Sequence, residues 1–144
     1  PDVGSAKMAR GFAKRLNATL AIIDKRRPSA NIAEVVNVVG EVKDRDCVIP
    51  DDMIDTAGTM SEAVHALKRL GANDVYCCAT HALLSGPAVE RLAASPVKEV
   101  VVTNTIAIPP ERHFKQLNVL SIAGLLAKAI GYTHSDQSVS SLFD

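Results

Sequence analysis

Apolar and polar positions alternate along the chain in two patterns, one typical of helices and one typical of buried strands. Residues 4–16 carry apolar or small side chains at a spacing close to 3.6 residues, with Lys and Arg on the other face. This spacing predicts an amphipathic helix. A second helix is predicted over residues 60–70, because Thr59 and Glu62 before it fit the capping-box pattern. Its predicted core-facing stripe is Met60, Val64 and Leu67.

Short apolar segments around these helices predict strands. They are residues 20–23, 35–39, 47–50, 74–79, 99–103 and 118–122, with further helices predicted at 86–94 and 123–130. The strands are apolar throughout, as in sheets that helices cover on both faces. Strand–helix alternation with short loops predicts an α/β fold: a doubly wound, mostly parallel sheet flanked by helices, in one domain over residues 1–144.

Composition and charge exclude several classes of protein. The 144 residues include 16 Lys plus Arg and 16 Asp plus Glu, so no net field attracts nucleic acid or an acidic membrane. No apolar stretch approaches the length of a membrane span, and the N-terminus has no signal-peptide pattern. The three cysteines show no metal-ligand spacing, which indicates free thiols in a reducing compartment. We therefore expect a cytoplasmic protein.

The polar segment that follows the 47–50 strand carries the clearest functional signal. In doubly wound sheets, ligands bind outside the carboxyl ends of the strands. Residues Asp55–Thr59 offer backbone N–H groups, two Thr hydroxyls and a Gly at a predicted helix N-terminus, a combination that favours a phosphate. No Lys or Arg lies within the loop. We therefore expect a neutral cradle in which backbone donors supply most of the binding.

Asp51 and Asp52, at the start of the same segment, suit a different ligand group. Carboxylates at a strand end accept hydrogen bonds from vicinal hydroxyls or hold Mg²⁺ through water. A phosphate cradle and an acid pair a few residues apart match a sugar phosphate. The alternative is that these acidic and Thr residues only cap a helix. We place the ligand interpretation slightly ahead, because two aspartates at an apolar strand end are costly to keep charged.

Two strings in the chain resemble motifs of one enzyme family. The string VIPDDMIDTAGT, residues 48–59, resembles the ribose-phosphate-binding loop of the phosphoribosyltransferase-type fold, in the form found in ribose-phosphate pyrophosphokinases. The string IDKRRP, residues 23–28, resembles the catalytic flexible loop of those enzymes, and PDVG, ATHALLSGPA and SVSSLF fit the same family. The resemblance covers essentially the whole chain but only the C-terminal half of the enzyme. The chain begins at Pro1 without Met, which indicates a fragment, a proteolysed product or a partly ordered chain, and the resemblance implies that the N-terminal half is missing.

The resemblance implies roles for individual residues. The residues implied to bind the 5-phosphate are Asp55, Thr56, Ala57, Gly58 and Thr59. Asp51, with Asp52 beside it, is implied to hold the ribose hydroxyls. Lys25 and Arg27 are implied to be catalytic, acting on the transferring group, with Arg27 also reaching the substrates.

Two further groups of residues take roles from the resemblance. Asp2 matches a Mg²⁺-binding position, where a histidine from the missing half completes the site, but Ser5 replaces the usual glycine of that motif. If that glycine permits close approach of the backbone, Ser5 alters the geometry around Asp2. Near the end of the chain, four residues resemble the family's segment near a phosphate/ADP effector site: Ser138, Ser140, Ser141 and Phe143.

The function implied by the resemblance is that of a ribose-phosphate diphosphokinase. Such an enzyme transfers the pyrophosphoryl group of Mg-ATP to the anomeric hydroxyl of ribose 5-phosphate, giving phosphoribosyl pyrophosphate and AMP for nucleotide biosynthesis. A homo-oligomer, with hexamer as the leading form, is also implied. The alternatives are a phosphoribosyltransferase, which shares the ribose-phosphate loop, and a non-catalytic regulatory subunit. Without the resemblance, Lys25 to Arg27 is most simply a solvated basic turn, and His81 a structural histidine at a strand end.

Overall fold

Helices and strands alternate through residues 6–26 and 35–143, which the computed structural model describes. The elements in chain order are α1 (Ala6–Leu16), β1 (Ile22–Arg26), β2 (Val35–Val39), β3 (Cys47–Ile54), α2 (Gly58–Arg69), β4 (Val75–Ala82), α3 (Ala88–Ala94), β5 (Glu99–Thr103), β6 (Leu117–Leu120) and α4 (Ala123–His134). Two short 3-10 helices span Pro110–Arg112 and Val139–Leu142.

A four-stranded parallel sheet in the order β3-β4-β5-β6 forms the centre of the fold. The pairing of β3 with β4 runs from Cys47 opposite Val75 to Ile54 opposite Ala82. Strands β1 and β2 form a separate antiparallel pair, with Lys25 opposite Val36. The predicted α/β class with a mostly parallel, helix-flanked sheet is confirmed.

The core lies between this sheet and α2 and α3. Most of the fully buried side chains of the strands are β-branched, as expected for parallel strands covered by helices, and include Val75, Val100 and Val102. Helix α2 buries one face, and its predicted stripe of Met60, Val64 and Leu67 is confirmed. Helix α4, in contrast, buries none of its side chains against the described residues.

The structure corrects several predicted element boundaries. Strand β3 continues to Ile54 instead of ending at Pro50, because its ladder with β4 extends through Met53 opposite His81. These main-chain bonds outweigh the poor strand propensity of aspartate. Strand β1 likewise covers residues 22–26 instead of 20–23, which places Lys25 on a strand and not in a loop.

The predicted capping box before α2 is wrong. The helix begins at Gly58, and its N-cap is Ala57, in the left-handed conformation (φ 57°, ψ 12°) without a side-chain cap. Thr59 is therefore the second helical residue and does not occupy the capping position. Its hydroxyl makes no hydrogen bond to any residue in the described ranges, so it is not used to hold the helix end.

The three cysteines are free thiols, as predicted. Cys77 is buried in β4, and burial raises its thiol pKa to about 12. Burial also raises the pKa values of the half-buried Cys47 and Cys78 thiols. At neutral pH these groups are protonated, so they behave as small packing residues. In the described part of the chain, no helix has the length and apolar character needed to cross a membrane.

Candidate functional site

The predicted ligand loop connects β3 to α2 at the carboxyl end of the parallel sheet. Asp51 and Asp52 lie in the C-terminal half of β3, and residues 55–57 join Ile54 to the first residue of α2. The neighbouring strand β4 places Ala79 opposite Asp51 and ends at Ala82. The acid pair and the helix N-terminus therefore lie on one short path at the sheet edge where ligands bind in such folds.

Three successive carbonyl groups of this loop are held by one segment, residues 83–91. The carbonyl of Ile54 accepts hydrogen bonds from the N–H groups of Leu83 and Leu84, both at 3.0 Å. The carbonyl of Asp55 accepts from the Ser85 N–H at 3.0 Å. The carbonyl of Thr56 accepts from Nη1 of Arg91 at 2.9 Å. The backbone between β3 and α2 is thereby fixed on one side by neutral and cationic donors.

Fixing the carbonyls also sets the direction of the amides. In a planar trans peptide, the N–H of the next residue is antiparallel to the carbonyl. The N–H groups of Asp55, Thr56 and Ala57 therefore face away from the 83–91 segment. None of these N–H groups donates a hydrogen bond to another group among residues 6–26 and 35–143. The loop thus presents backbone donors beside the positive end of α2, an arrangement that suits a phosphate.

The expectation of a neutral cradle is wrong. No cation lies within the loop, but the fold brings the Arg91 guanidinium from α3 to the Thr56 carbonyl. A Cβ built on Gly58 would lie 3.4 Å from Nη1 of the same guanidinium. A positive charge therefore stands directly behind the first residue of α2. Sequence patterns do not indicate this contact, because the two partners lie 35 residues apart.

Asp51 and Asp52 differ in their surroundings although they are adjacent. The Asp51 side chain is half-buried, while Asp52 is exposed. Burial raises the pKa of the Asp51 carboxyl above its usual range, and the Asp52 N–H, which donates to Oδ1 of Asp51 at 2.9 Å, offsets part of that rise. No salt bridge to Asp51 occurs in the described part of the chain. Among the described residues the acid pair therefore has no cationic partner, and a diol or a hydrated cation would supply donors or charge to it.

Comparison with known proteins agrees with this geometry. Residues 27–144 match the model of the phosphoribosyl synthetase-associated domain. The chain belongs to that family. A ribose-phosphate pyrophosphokinase of Caldanaerobacter subterraneus is 55% identical over 99% of this chain, and one of Gloeobacter violaceus is 56% identical over 99%. The chain spans 45% and 43% of the lengths of these two relatives, which is less than half of each.

A solved structure supports the same family assignment. The crystal structure of phosphoribosylpyrophosphate synthetase from Mycobacterium smegmatis superimposes with a TM-score of 0.85 at 44% sequence identity. The match covers 92% of this chain and 43% of that protein. The two proteins therefore share their backbone fold over most of this chain, and not only in the loop between β3 and α2.

Some of the remaining predicted site residues lie in the part of the chain that the structure describes, and others lie outside it. Lys25 is the penultimate residue of β1, one residue before its end at Arg26. Arg27 and Asp2 lie outside the described residues. The predicted effector segment forms the last 3-10 helix, where the Ser141 hydroxyl donates to the Ser138 carbonyl at 2.8 Å and Arg15 donates to the Phe143 carbonyl at 3.1 Å. The roles of all these residues stay predictions.

Asp55 has a protein partner that the sequence did not indicate. The Ser85 hydroxyl donates to the Asp55 carboxylate, in addition to the backbone bond between the same two residues. The carboxylate therefore anchors the loop to the 83–91 segment. Any contribution of Asp55 to an anion would come from its N–H, since a carboxylate repels a phosphate. Ser85 lies within the string ATHALLSGPA, which marked the family but suggested no contact.

His81 belongs to a small polar network at the ends of β4 and β5. Its Nδ1 lies 2.9 Å from Oγ1 of Thr105, and the Thr105 hydroxyl donates to the Thr80 carbonyl at 2.9 Å. The Thr103 hydroxyl donates to the same carbonyl at 2.7 Å. Since the Thr105 proton is used in this way, Nδ1 of His81 is the donor to Thr105. This fits the predicted structural role of His81.

The described residues form no complete metal-ion site. In the ranges 6–26 and 35–143, no group of three or more His, Cys, Asp or Glu side chains is placed to hold a metal ion. The half-buried Asp51 and its neighbour Asp52 still fit a hydrated ion, because Mg²⁺ commonly keeps several waters and uses one or two carboxylates plus substrate phosphates. Within the described ranges, the acid pair is therefore compatible with a hydrated Mg²⁺ ion.

Proposed function

We propose that the protein containing this chain is a ribose-phosphate pyrophosphokinase. It transfers the pyrophosphoryl group of Mg-ATP to the anomeric hydroxyl of ribose 5-phosphate and releases AMP. The chain forms the C-terminal, phosphoribosyltransferase-like domain of that two-domain enzyme. The observation that carries the proposal is the loop from Asp51 to Thr59, in which an acid pair stands beside amides that are presented by three tethered carbonyls.

The 5-phosphate is assigned to the amides of residues 55–59 and to the hydroxyls of Thr56 and Thr59. Both threonines are exposed, and neither hydroxyl has a partner in the described part of the chain. Hydrogen bonds to a charged partner contribute about 1.5–3 kcal/mol each, more than the helix field of about 0.3–1 kcal/mol. Direct amide and hydroxyl contacts therefore dominate phosphate affinity.

The ribose hydroxyls are assigned to Asp51 and Asp52. A carboxylate that is half-buried gains hydrogen-bond donors when a diol binds, so substrate relieves part of the cost of its burial. The acid pair also orients the sugar relative to the fixed phosphate. Holding both ends of the substrate places the anomeric hydroxyl in one position, which is the main requirement of a displacement at phosphorus.

Charge compensation during transfer is assigned to Lys25 and Arg27. Lys25 supplies a mobile point charge, and Arg27 a planar fork that suits phosphate oxygens. Mg²⁺ bound to ATP would neutralise further phosphate charge, and the Asp51 and Asp52 carboxylates would accept hydrogen bonds from its waters. Asp2 is proposed as a further Mg²⁺ ligand.

The proposal extends to assembly, location and control. By resemblance to its family, we assign the protein to the cytoplasm as a homo-oligomer, with hexamer the leading form. Phosphate and ADP are proposed effectors at the segment containing Ser138, Ser140, Ser141 and Phe143. A phosphoribosyltransferase would use the same loop without ATP, and a regulatory subunit would bind ligands without turnover.

The test is AMP release by the full-length protein given Mg-ATP and ribose 5-phosphate, compared with a Lys25→Ala variant. We expect ribose-dependent AMP, with kcat lowered on the order of 10²-fold in the variant and KM nearly unchanged, because removing one charge aimed at a transition state costs about that much. The matched control is Lys115→Ala, which removes an exposed lysine near β6 and should keep full turnover.

Three other outcomes would count against the proposal. Ribose 5-phosphate binding without AMP favours the regulatory subunit. Consumption of phosphoribosyl pyrophosphate without ATP favours a phosphoribosyltransferase. If the Lys25→Ala variant loses substrate affinity but keeps kcat, Lys25 binds substrate and does not stabilise the transition state.

A further inference from the structure

Arg91 contacts the phosphate loop and the first turn of α2 at the same time. Its Nη1 donates to the Thr56 carbonyl at 2.9 Å, and the same atom lies 3.4 Å from where a Cβ on Gly58 would be. Its own carbonyl accepts a hydrogen bond from the Ser61 hydroxyl at 3.5 Å. The residue therefore ties α3 to both sides of the Ala57 N-cap.

The Ala57 position is where the loop most needs such a tie. Ala57 is held at φ 57°, a left-handed conformation that costs a residue with a side chain on the order of 1–2 kcal/mol. Its side chain is buried, and the helix end has no side-chain cap. The Thr56 carbonyl belongs to the peptide whose other end is the Ala57 N–H. When Arg91 holds that carbonyl, the amide is directed to the opposite side.

The charge of Arg91 makes this tie stronger than the two neighbouring ones. The carbonyls of Ile54 and Asp55 are held by neutral N–H donors, while Thr56 is held by a guanidinium. Hydrogen bonds with an ionised partner are roughly twice as strong as neutral ones. No salt bridge from Arg91 to a carboxylate occurs in the described ranges, so its charge is not compensated by another side chain there.

We propose that Arg91 is a positioning residue for phosphate binding, which presets the Thr56–Ala57 peptide so that its amide faces the ligand. This inference rests on the proposed function, because the ligand is the 5-phosphate of ribose 5-phosphate. Arg91 acts through the backbone, because its guanidinium contacts the Thr56 carbonyl, on the side of the peptide opposite to the Ala57 amide.

The test uses the full-length protein with Arg91→Met, which removes the charge and the donors but keeps an unbranched side chain. We expect KM and Kd for ribose 5-phosphate to rise about tenfold, as the loss of one charged hydrogen bond predicts. The kcat at saturating ribose 5-phosphate and the KM for ATP should stay within about twofold of wild type. Arg91→Lys keeps a cationic donor and should restore part of the affinity.

The matched control is Arg69→Met, which removes the same charge from the other end of α2. Arg69 is exposed in the last turn of the helix. A helix of this length spans roughly 18 Å at 1.5 Å per residue, so screening leaves little long-range effect on the phosphate. Ribose 5-phosphate affinity in Arg69→Met should equal that of wild type. An equal loss in both variants would overturn the inference in favour of general charge attraction.

The pH dependence of binding separates positioning from direct contact. The phosphate of the ligand gains its second charge near pH 6. If Arg91 acts through the amide, Arg91→Met loses a similar factor at pH 5.5 and pH 7.5. A loss seen only with the dianion would show direct ion pairing and would overturn the positioning role.

Two further outcomes are decisive. Unchanged affinity in Arg91→Met, while Thr59→Val binds more weakly, would overturn the role of Arg91 and leave the phosphate site intact. Failure of the wild-type protein to bind ribose 5-phosphate would remove the proposed function, and this inference with it.

Discussion

The two halves of the segment from Asp51 to Thr59 solve different physical problems. In the half from Asp55 to Thr59, each of the carbonyls of Ile54, Asp55 and Thr56 has a donor, and the amides between them are presented on one side. In the half formed by Asp51 and Asp52, a half-buried carboxyl has a raised pKa and no cationic partner in the described residues. The backbone carbonyls of the first half have their hydrogen bonds without ligand, while the Asp51 carboxyl of the second half has no cationic partner among the described residues.

This difference indicates how the site divides its work. A phosphate is strongly hydrated, so binding it well requires donors that are already fixed when it arrives. A diol is neutral and brings its own donors, so the protein contributes an acceptor whose charge is poorly compensated beforehand. Amides that are already fixed in position bind the phosphate, and carboxylates without a cationic partner bind the sugar hydroxyls. The predictions below disturb one half while leaving the other intact.

The largest effect is expected for Ala57→Val. A β-branched residue strongly disfavours the left-handed conformation at φ 57°, and the site is too buried for a larger side chain. We expect stability to fall by about 2–4 kcal/mol, from backbone strain plus overpacking. The affinity for ribose 5-phosphate should fall more than tenfold. Denaturant unfolding and calorimetric titration measure the two quantities.

Ala57→Gly is the control for this backbone requirement. Glycine accepts the left-handed conformation without strain, so the amides of the loop keep their direction. Only the buried methyl group is lost, which costs about 1 kcal/mol and is partly offset by relief of strain. Affinity close to that of wild type is expected. A tenfold loss in the glycine variant as well would mean that the conformation of Ala57 is not what sets the phosphate site.

A smaller and two-sided effect is expected for Asp51→Asn. The amide keeps an oxygen acceptor for the Asp52 N–H but removes the charge. Burial raises the pKa of Asp51 in the fold above its unfolded value, so the folded state binds this proton more tightly. The carboxylate therefore lowers stability above the folded pKa, and the penalty vanishes below the unfolded pKa. At pH 7 the variant should unfold at a higher temperature than wild type.

The same variant should bind ribose 5-phosphate about tenfold more weakly, because a charged acceptor for the hydroxyls is lost. The stability difference from wild type should shrink as the pH is lowered and vanish below about 3.9, the unfolded pKa, where Asp51 is protonated in both the folded and the unfolded state. Asp46→Asn, at the other end of β3, serves as the comparison. If Asp51→Asn is less stable than wild type at pH 7, the carboxylate is already compensated and the proposed contrast fails.

The smallest effect is expected for Thr59→Val, which keeps the β-branched shape and removes one hydroxyl. Because Thr59 does not cap the helix, stability should change by less than about 0.5 kcal/mol. Affinity for ribose 5-phosphate should fall about tenfold, as for one hydrogen bond of roughly 1.5 kcal/mol to a charged group. A substantial loss of stability would restore a capping role to this residue.

Much of the fold followed from the sequence, and the errors have physical causes. The apolar strands and the stripe on α2 were predicted from periodicity, since burial requires those side chains wherever the element ends. The extension of β3 through Asp51 and Asp52 was missed, because the ladder with β4 is a non-local property. The start of α2 was misplaced because an alanine in the left-handed conformation has no sequence signature.

The site was predicted in the same uneven way. The loop was visible because its donors, hydroxyls and acids are contiguous between Asp51 and Thr59. Arg91 and Ser85 were missed because the chain brings them to the loop from 35 and 30 residues away. Local patterns indicate what a loop can bind. The groups that fix its backbone depend on which helix the fold places behind it.

The most direct measurement is a crystal structure of the full-length protein with ribose 5-phosphate. We expect phosphate oxygens within about 2.7–3.2 Å of the amide nitrogens in the 55–59 segment, with the ribose hydroxyls on Asp51 and Asp52 and Arg91 still on the Thr56 carbonyl. A phosphate bound elsewhere, or a loop whose carbonyls have turned toward the ligand, would contradict the claim that the 83–91 segment fixes the amides in advance for the phosphate.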